Sequence, residues 1–209
     1  GLLTDEIRYR DQKSSEGRLR RAKFRSQSDF DHYDCTLKRS LSKTQVKELR
    51  ELTFLKSKQN LLLLGPTGVG KTFVATAIGH QACNEGHNVL FEGMNHLIEQ
   101  IKLARVGGTF LRLRKKLIEA DLLIIDDLGI KPLEGEIVQD IYDLLEERYL
   151  KRSTIITSQL PVTNWKEVIT DPVVFEAIVD RIAHGYKIEI TGESYRKKRG
   201  VDKVKGTSG

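Results

Sequence analysis

Cysteine is scarce in this 209-residue sequence. Cys35 and Cys83 are its two cysteines, and no CxxC pair occurs, so the sequence offers no disulfide framework. Long apolar runs are also missing, since residues 61–64 and 122–125 are strand-sized and a bilayer span needs about 18 residues. No signal peptide is recognisable. Reduced thiols in a cytoplasmic protein without a membrane segment are therefore the simplest interpretation.

Charge is unevenly distributed along the chain. Residues 1–60 carry 15 Lys and Arg against 9 Asp and Glu, residues 61–190 carry 14 against 18, and residues 191–209 carry 6 against 2. Basic arms therefore flank a slightly acidic centre. Such arms favour a polyanionic partner, nucleic acid above all, with solvated helix faces as the alternative.

Strand and helix patterns alternate from Asn60 onward. Strand patterns occur at residues 61–64, 88–92, 122–126, 154–158 and 187–190. Helical patterns separate them, and this alternation predicts an α/β fold, a five-stranded parallel sheet with helices on both faces.

The segment before Asn60 has a different pattern. Residues 2–25 are polar and helix-prone, and Ser42 followed by Gln45 marks a capped helix that runs toward Phe54. We therefore divide the chain into three parts. These are an N-terminal helical, basic region (1–58), an α/β domain (59–199) and a flexible tail (200–209). Because the chain begins at Gly1 without an initiator Met, we expect the N-terminal region to be truncated.

A glycine-rich loop follows the first strand and opens a helix, the context in which a phosphate-binding motif is specific. Gly68 and Gly70 let backbone N–H groups converge on phosphate oxygens, and the helix dipole adds positive potential. Lys71 would reach the β- and γ-phosphates, and the Thr72 hydroxyl would bind Mg²⁺. The residues predicted to bind ATP are Gly65, Pro66, Thr67, Gly68, Val69, Gly70, Lys71 and Thr72.

Two carboxylates end the third strand, where ligands of α/β sheets collect. In Leu-Leu-Ile-Ile-Asp-Asp, Asp126 would hold Mg²⁺ and Asp127 would orient the attacking water. One strand–helix unit separates the two motifs. By fold-level analogy this spacing favours the ATPase branch of P-loop proteins over GTPases and nucleotide kinases.

Three further residues are candidates by position. Ser158 and Gln159 end the fourth strand and could touch the γ-phosphate or the attacking water, although a strand-end Ser is usually a turn residue. Arg181 could neutralise phosphoryl charge from a neighbouring subunit, although a surface arginine is the default interpretation.

The ordered set GPTGVGKT, LLIIDDLG, TIITSQLP, DRIAHG and GESYRKK resembles the IstB-type AAA+ ATPases, helper proteins of bacterial transposons related to DnaC-type helicase loaders. The resemblance covers about residues 2–199. It implies a P-loop NTPase of the AAA+ type that binds ATP and Mg²⁺ and forms a homo-oligomer on duplex DNA with ATP between subunits. It also implies activation of a partner transposase. By position, Ser158 or Gln159 would be the sensor, Arg181 the arginine finger in trans and Arg196 a second phosphate sensor.

One residue departs from the AAA+ pattern, which usually has Glu where Asp127 stands. Asp is one methylene shorter, so we expect slow hydrolysis, and a nucleotide-gated scaffold remains an alternative. A replicative helicase loader, with a helicase as partner, is a second alternative. A P-loop small-molecule kinase is a third, but it would need a second basic lid that the sequence does not show.

Residues 101–116 form a basic segment without an acidic residue in an otherwise acidic centre. In the loader and initiator relatives this part of the fold faces nucleic acid. We therefore expect its cations to contact DNA phosphates, with a solvated helix pair as the alternative. The predicted DNA-binding residues are Lys102, Arg105, Arg112, Arg114, Lys115 and Lys116.

Overall fold

A single parallel sheet forms the centre of the protein, whose structure is a computed structural model describing residues 2–33, 35, 41–183 and 185–192. Its strands are β1 (Leu61–Leu64), β2 (Val89–Gly93), β3 (Leu122–Leu128), β4 (Ser153–Ser158) and β5 (Tyr186–Glu189). Their order is β2-β3-β4-β1-β5, and every neighbouring pair is parallel. The predicted five-stranded parallel sheet is confirmed. This order places β1 between β4 and β5.

Helices cover both faces of this sheet. They are α1 (Leu2–Ala22), α2 (Lys43–Arg50), α3 (Thr53–Lys56), α4 (Lys71–Asn84), α5 (Met94–Val106), α6 (Phe110–Glu119), α7 (Glu136–Arg148) and α8 (Pro172–Ala183). Short 3₁₀ helices lie at Phe30–His32 and Val162–Glu167. No helix among the described residues is both long and apolar enough to cross a bilayer.

Each of the strands β1 to β4 contributes to two hydrophobic cores because successive side chains point to opposite faces. Leu61 and Leu63 pack with residues of α1 to α4, whereas Leu62 and Leu64 pack with residues of α5 to α8. All four leucines are buried, which explains why β1 reads as a continuous apolar run. The N-terminal helix α1 is therefore part of the first layer.

The helix predicted from Ser42 toward Phe54 is interrupted at Leu52, and this prediction is wrong in its extent. Its start is as expected: Gln45 N donates to Ser42 Oγ at 3.1 Å, and Ser42 N donates to Gln45 Oε1 at 2.9 Å. Leu52 then adopts φ 53°, a left-handed conformation that costs about 1–2 kcal/mol. Its side chain is completely buried, and this burial offsets the cost.

A buried arginine joins three elements at the amino end of the sheet. Arg148, the last residue of α7, donates five hydrogen bonds to four carbonyl oxygens and one hydroxyl. The acceptors are the carbonyls of Leu117, Ile118, Ala120 and Ser153 and the hydroxyl of Thr154. Burial lowers the pKa of Arg148 to about 9. The end of α6, the end of α7 and the start of β4 are thereby fixed together.

Two predictions lie outside the described residues, namely Arg196 and the tail at 200–209. The division of the chain between residues 58 and 59 stays a prediction.

Candidate nucleotide-binding site

The glycine-rich loop connects β1 to α4 at the carboxyl end of the sheet. Gly68 and Gly70 adopt φ 87° and 101°, a region that side chains other than hydrogen rarely allow. At Gly65 the reason is a close contact, since a Cβ there would lie 2.1 Å from the carbonyl oxygen of Ile190. The backbone therefore curls at the N-terminus of α4, as a phosphate-binding loop requires.

Lys71 is buried inside this loop with only 5% of its surface exposed. Its Nζ donates to the carbonyl oxygens of Gly65 at 2.7 Å and Pro66 at 2.9 Å. Burial lowers the pKa of Lys71, and the charges of Asp127 and Asp126 partly oppose that shift. The ammonium is thus held where arriving phosphate oxygens could replace the two carbonyls.

Asp126 lies beside the start of α4 and is 1% exposed. Its carboxylate accepts hydrogen bonds from the Thr72 hydroxyl at 3.0 and 3.1 Å and from the Thr157 hydroxyl at 2.6 Å. Burial raises the pKa of Asp126, while the bonds from Thr157 and Thr72 oppose the shift. The predicted pair of Thr72 and Asp126 is therefore in direct contact, and these hard oxygen atoms suit Mg²⁺.

Asp127 occupies an irregular position in β3. It adopts φ 63°, and the pairing of β3 with β4 shifts register between Ile125 and Leu128. Its backbone N–H donates to the Thr157 hydroxyl at 2.9 Å, and its charge raises the pKa of both Lys71 and Asp126. Such bulges are common beside active sites because they redirect a side chain.

The two sensor candidates lie in different surroundings. Gln159 Oε1 accepts a hydrogen bond from the Thr67 hydroxyl of the glycine-rich loop at 2.6 Å. Ser158 is buried, and its hydroxyl donates to the Leu128 carbonyl at 2.7 Å and accepts from Trp165 Nε1 at 3.2 Å. Of the two side chains, that of Gln159 is therefore the one that contacts the loop, whereas Ser158 accepts from Gly65 N through its backbone carbonyl and its hydroxyl holds the strand end in place.

The site also contains two residues that the sequence prediction did not include. Thr157 bridges the carboxylate of Asp126 and the backbone of Asp127; its place near the end of a strand pattern was a sequence signal, but that signal does not distinguish it from Ser158. Arg25, beyond α1, lies so close to Gly93 that a Cβ there would be 2.2 Å from Arg25 Nη2. Its positive charge also acts on Asp126.

Arg181 lies on α8 and is bound within its own chain. Its guanidinium forms ion pairs with Glu146 of α7 and with Asp180, the latter at 3.0 Å. The rings of Tyr149 and Tyr142 lie 5.6 and 6.0 Å from Arg181 Cζ. A role in trans stays a prediction, and it would require the arginine to leave Glu146.

The predicted DNA-binding residues divide into two groups. Arg105 is paired with Asp140 at 2.5 Å, Arg114 with Glu147 at 2.7 Å, and Lys115 with Glu119 at 3.8 Å. The other three make no hydrogen bond or ion pair through their side chains with any described residue. They are Lys102, Arg112 and Lys116. Side chains of the second group are the ones available to a polyanion.

The sequence of this chain is similar to the sequences of known proteins. A family model described as IstB-like ATP binding protein matches residues 1–202. An insertion sequence ATP-binding protein (y4pL) of Sinorhizobium fredii is 39% identical over 199 residues, covering 95% of this chain and 81% of that protein. The ATP-binding protein of insertion sequence IS21 from Pseudomonas aeruginosa is 36% identical over 197 residues, covering 94% and 74%.

Solved structures show the same fold at lower identity. DnaI has a TM-score of 0.67 with 21% identity, covering 80% of this chain and 90% of that one. The DnaC helicase loader has a TM-score of 0.61 with 20% identity, covering 79% and 97%. These similarities show the fold alone, and that fold is the AAA+ P-loop fold.

Proposed function

Because this chain belongs to the IstB-like ATP binding protein family, we propose that it hydrolyses ATP and acts on duplex DNA as the helper of a transposase. The observation that carries the proposal is the cluster of Lys71, Thr72 and Asp126 around the glycine-rich loop. The relatives named as ATP-binding proteins of insertion sequences support the transposition context.

Binding of the triphosphate would begin with an exchange of partners. Phosphate oxygens would replace the Gly65 and Pro66 carbonyls as acceptors of the Lys71 ammonium. The exchange is favourable because the buried ammonium forms stronger hydrogen bonds with charged acceptors than with neutral carbonyls. Thr72 and Asp126 would hold Mg²⁺, which would supply positive charge to neutralise the β- and γ-phosphates. Gln159 already contacts the loop through Thr67 at the same end of the sheet, and we assign to it the response to the γ-phosphate.

Asp127 is the residue that we assign to the attacking water. Its backbone N–H donates to the Thr157 hydroxyl, which holds the Asp127 backbone at the irregular part of β3. The shorter Asp must orient the water from a greater distance than Glu would, which makes slow turnover the expected behaviour. Asp127→Asn should retain ATP binding and lose phosphate release by about 10²-fold or more, as for a removed general base. Unchanged turnover would mean that the assignment is wrong.

Arg181 would act across a subunit boundary in a homo-oligomer. In the single chain it is neutralised by Glu146 and Asp180, so it is not available to a nucleotide of its own chain in this arrangement. Exchange of Glu146 for a neighbouring γ-phosphate would supply charge when subunits assemble. Hydrolysis would then depend on assembly.

The test is sedimentation velocity with ATP and Mg²⁺, with and without a duplex of about 50 base pairs, a length of about 170 Å at 3.4 Å per base pair. A large complex that needs both ATP and duplex supports the proposal. Lys71→Ala is the nucleotide-binding control, and Arg181→Ala separates assembly from hydrolysis. We expect Arg181→Ala to bind ATP normally and to lose hydrolysis stimulated by assembly.

A protein that stays monomeric with ATP and duplex would contradict the proposal. That result would favour a helicase loader whose assembly depends on its helicase. The transposase partnership has its own test, a strand-transfer assay in which the cognate transposase is active only when this protein and ATP are added.

A further inference from the structure

A groove lined by positive charge lies between α1 and α6, at the amino end of the edge strand β2. It has a volume of about 560 Å³, and residues 88–90 form its floor. Its cationic side chains come from two segments far apart in sequence: Arg18, Arg21, Lys23, Arg112, Lys115 and Lys116. Glu119 is the one acidic residue among the described residues that line it. We call this feature the basic groove.

Four of the six cations have free charges. Arg21, Lys23, Arg112 and Lys116 make no side-chain hydrogen bond or ion pair with the described part of the chain. The other two are partly engaged. Arg18 donates to the Cys83 carbonyl at 2.6 Å, and the Lys115 ammonium lies 3.8 Å from the Glu119 carboxylate. Like charges that face each other across a groove repel, so a bound polyanion would relieve an unfavourable arrangement.

We propose that the basic groove binds the sugar–phosphate backbone of duplex DNA, with α1 forming one wall and α6 the other. This inference rests on the proposed function and adds a binding surface to it that includes the N-terminal helix. Lys and Arg side chains are the residues that contact phosphates and release counterions. No aromatic residue is found among the described lining residues, so the groove offers no platform on which single-stranded bases would stack.

The groove changes which residues are assigned to DNA. Arg105 and Arg114 belong to the same basic segment of sequence but are turned toward α7, where Asp140 and Glu147 neutralise them. Arg21 lies near the end of α1 and Lys23 just beyond it, in the N-terminal basic region, and both line the same groove as Arg112. The DNA surface is therefore made by packing α1 against the sheet rather than by the α5–α6 segment alone.

The basic groove and the nucleotide site lie at opposite ends of β2. Residues 88–90 lie at the start of that strand, with residue 88 just before it, whereas Gly93 ends it beside Asp126. Substitutions in the groove should consequently leave the atoms that bind ATP in place. This separation allows DNA affinity and ATP affinity to be measured as independent quantities on each variant.

The experiment compares three double variants by fluorescence anisotropy with a labelled duplex, in ATP and Mg²⁺, at several salt concentrations. Arg21→Gln with Lys23→Gln removes the α1 wall, and Arg112→Gln with Lys116→Gln removes the α6 wall. Lys43→Gln with Lys47→Gln makes the same charge change on the exposed face of α2. We expect each wall variant to bind duplex at least about 10-fold more weakly. The plot of log K against log salt should become less steep, its negative slope shrinking in magnitude by about 2.

The outcomes separate this inference from the proposed function. If the wild type binds duplex but the α1 variant binds equally well with an unchanged salt slope, the basic groove is refuted while the proposed function stands. If the wild type binds no duplex in any nucleotide state, both are overturned. Tighter binding to a single strand of the same length would overturn the assignment to duplex DNA, and equal weakening by the α2 control would reduce the effect to net charge.

ATP affinity and the thermal midpoint of every variant check that it is folded. Where the α1 double variant melts early, Lys23→Gln replaces it, because Lys23 is exposed and lies beyond the end of α1. A single removed contact should weaken duplex binding about threefold or more and lower the salt slope by about 1. Wild-type affinity in this folded variant would equally refute the groove.

Discussion

Two buried cations at opposite ends of the sheet show different uses of the same kind of residue. Lys71 and Arg148 are 5% and 1% exposed, and burial lowers the pKa of each. Arg148, on α7, donates to the end of α6 and to the start of β4, whereas Lys71 donates to two carbonyls of its own loop. The contrast teaches that a buried cation bonded to several elements of the fold is structural, whereas one bonded only within its own loop can change partners when a ligand arrives.

The largest effect is expected from Arg148→Ala. Removing the guanidinium leaves several buried carbonyls without a donor, and we expect a loss of about 3–5 kcal/mol in the free energy of unfolding. Urea denaturation measures it. Arg148→Lys keeps the charge but cannot reach all five acceptors, so its free energy of unfolding should lie between those of the wild type and of Arg148→Ala. A loss below about 1 kcal/mol would remove the structural side of the comparison.

Lys71→Ala should give a smaller effect of a different kind. We expect ATP affinity to fall about 10–100-fold, the value of one or two charge-assisted hydrogen bonds, while the urea midpoint changes little. Titration with a fluorescent ATP analogue measures the affinity, and Lys102→Ala is a control on an exposed lysine. Normal affinity in the Lys71 variant would contradict the interpretation of the loop itself.

The smallest effect is expected at the buried carboxylate that faces Lys71. Burial raises the pKa of Asp126, so the folded state disfavours its charge, and stability is lost as the pH rises above the ordinary value of 3.8. Asp126→Asn should therefore melt higher than the wild type without nucleotide, with a difference that grows as the pH rises from below 3.8. The variant should lose the additional stabilisation that Mg²⁺ gives with ATP. Thermal melts at several pH values check both statements.

Local sequence was sufficient for the parts of the site that are contiguous. The glycine-rich loop after β1 and the two carboxylates near the end of β3 follow from neighbouring residues, since each motif includes its own strand. Thr157 could not be chosen over Ser158 in this way. Which hydroxyl reaches Asp126 depends on the register between β3 and β4, and that register shifts next to the site.

Residues brought in by packing were beyond the reach of the sequence patterns. Arg25 meets Gly93 only because α1 packs on the edge of the sheet. The same dependence separates Arg105 on α5, which pairs with Asp140, from Arg112 on α6, which lines the basic groove. Leu52 ends α2 early because a buried side chain outweighed local helix preference.

The bonds of Arg148 also have a mechanical consequence. Its guanidinium joins α7 to the carbonyls that end α6, so α6 cannot be displaced without breaking several buried hydrogen bonds or carrying α7 with it. Glu146, one half-turn earlier on α7, is the residue that binds Arg181. Because Arg148 and Glu146 both belong to α7, a displacement of α6 that keeps these hydrogen bonds would also move the residue that restrains Arg181.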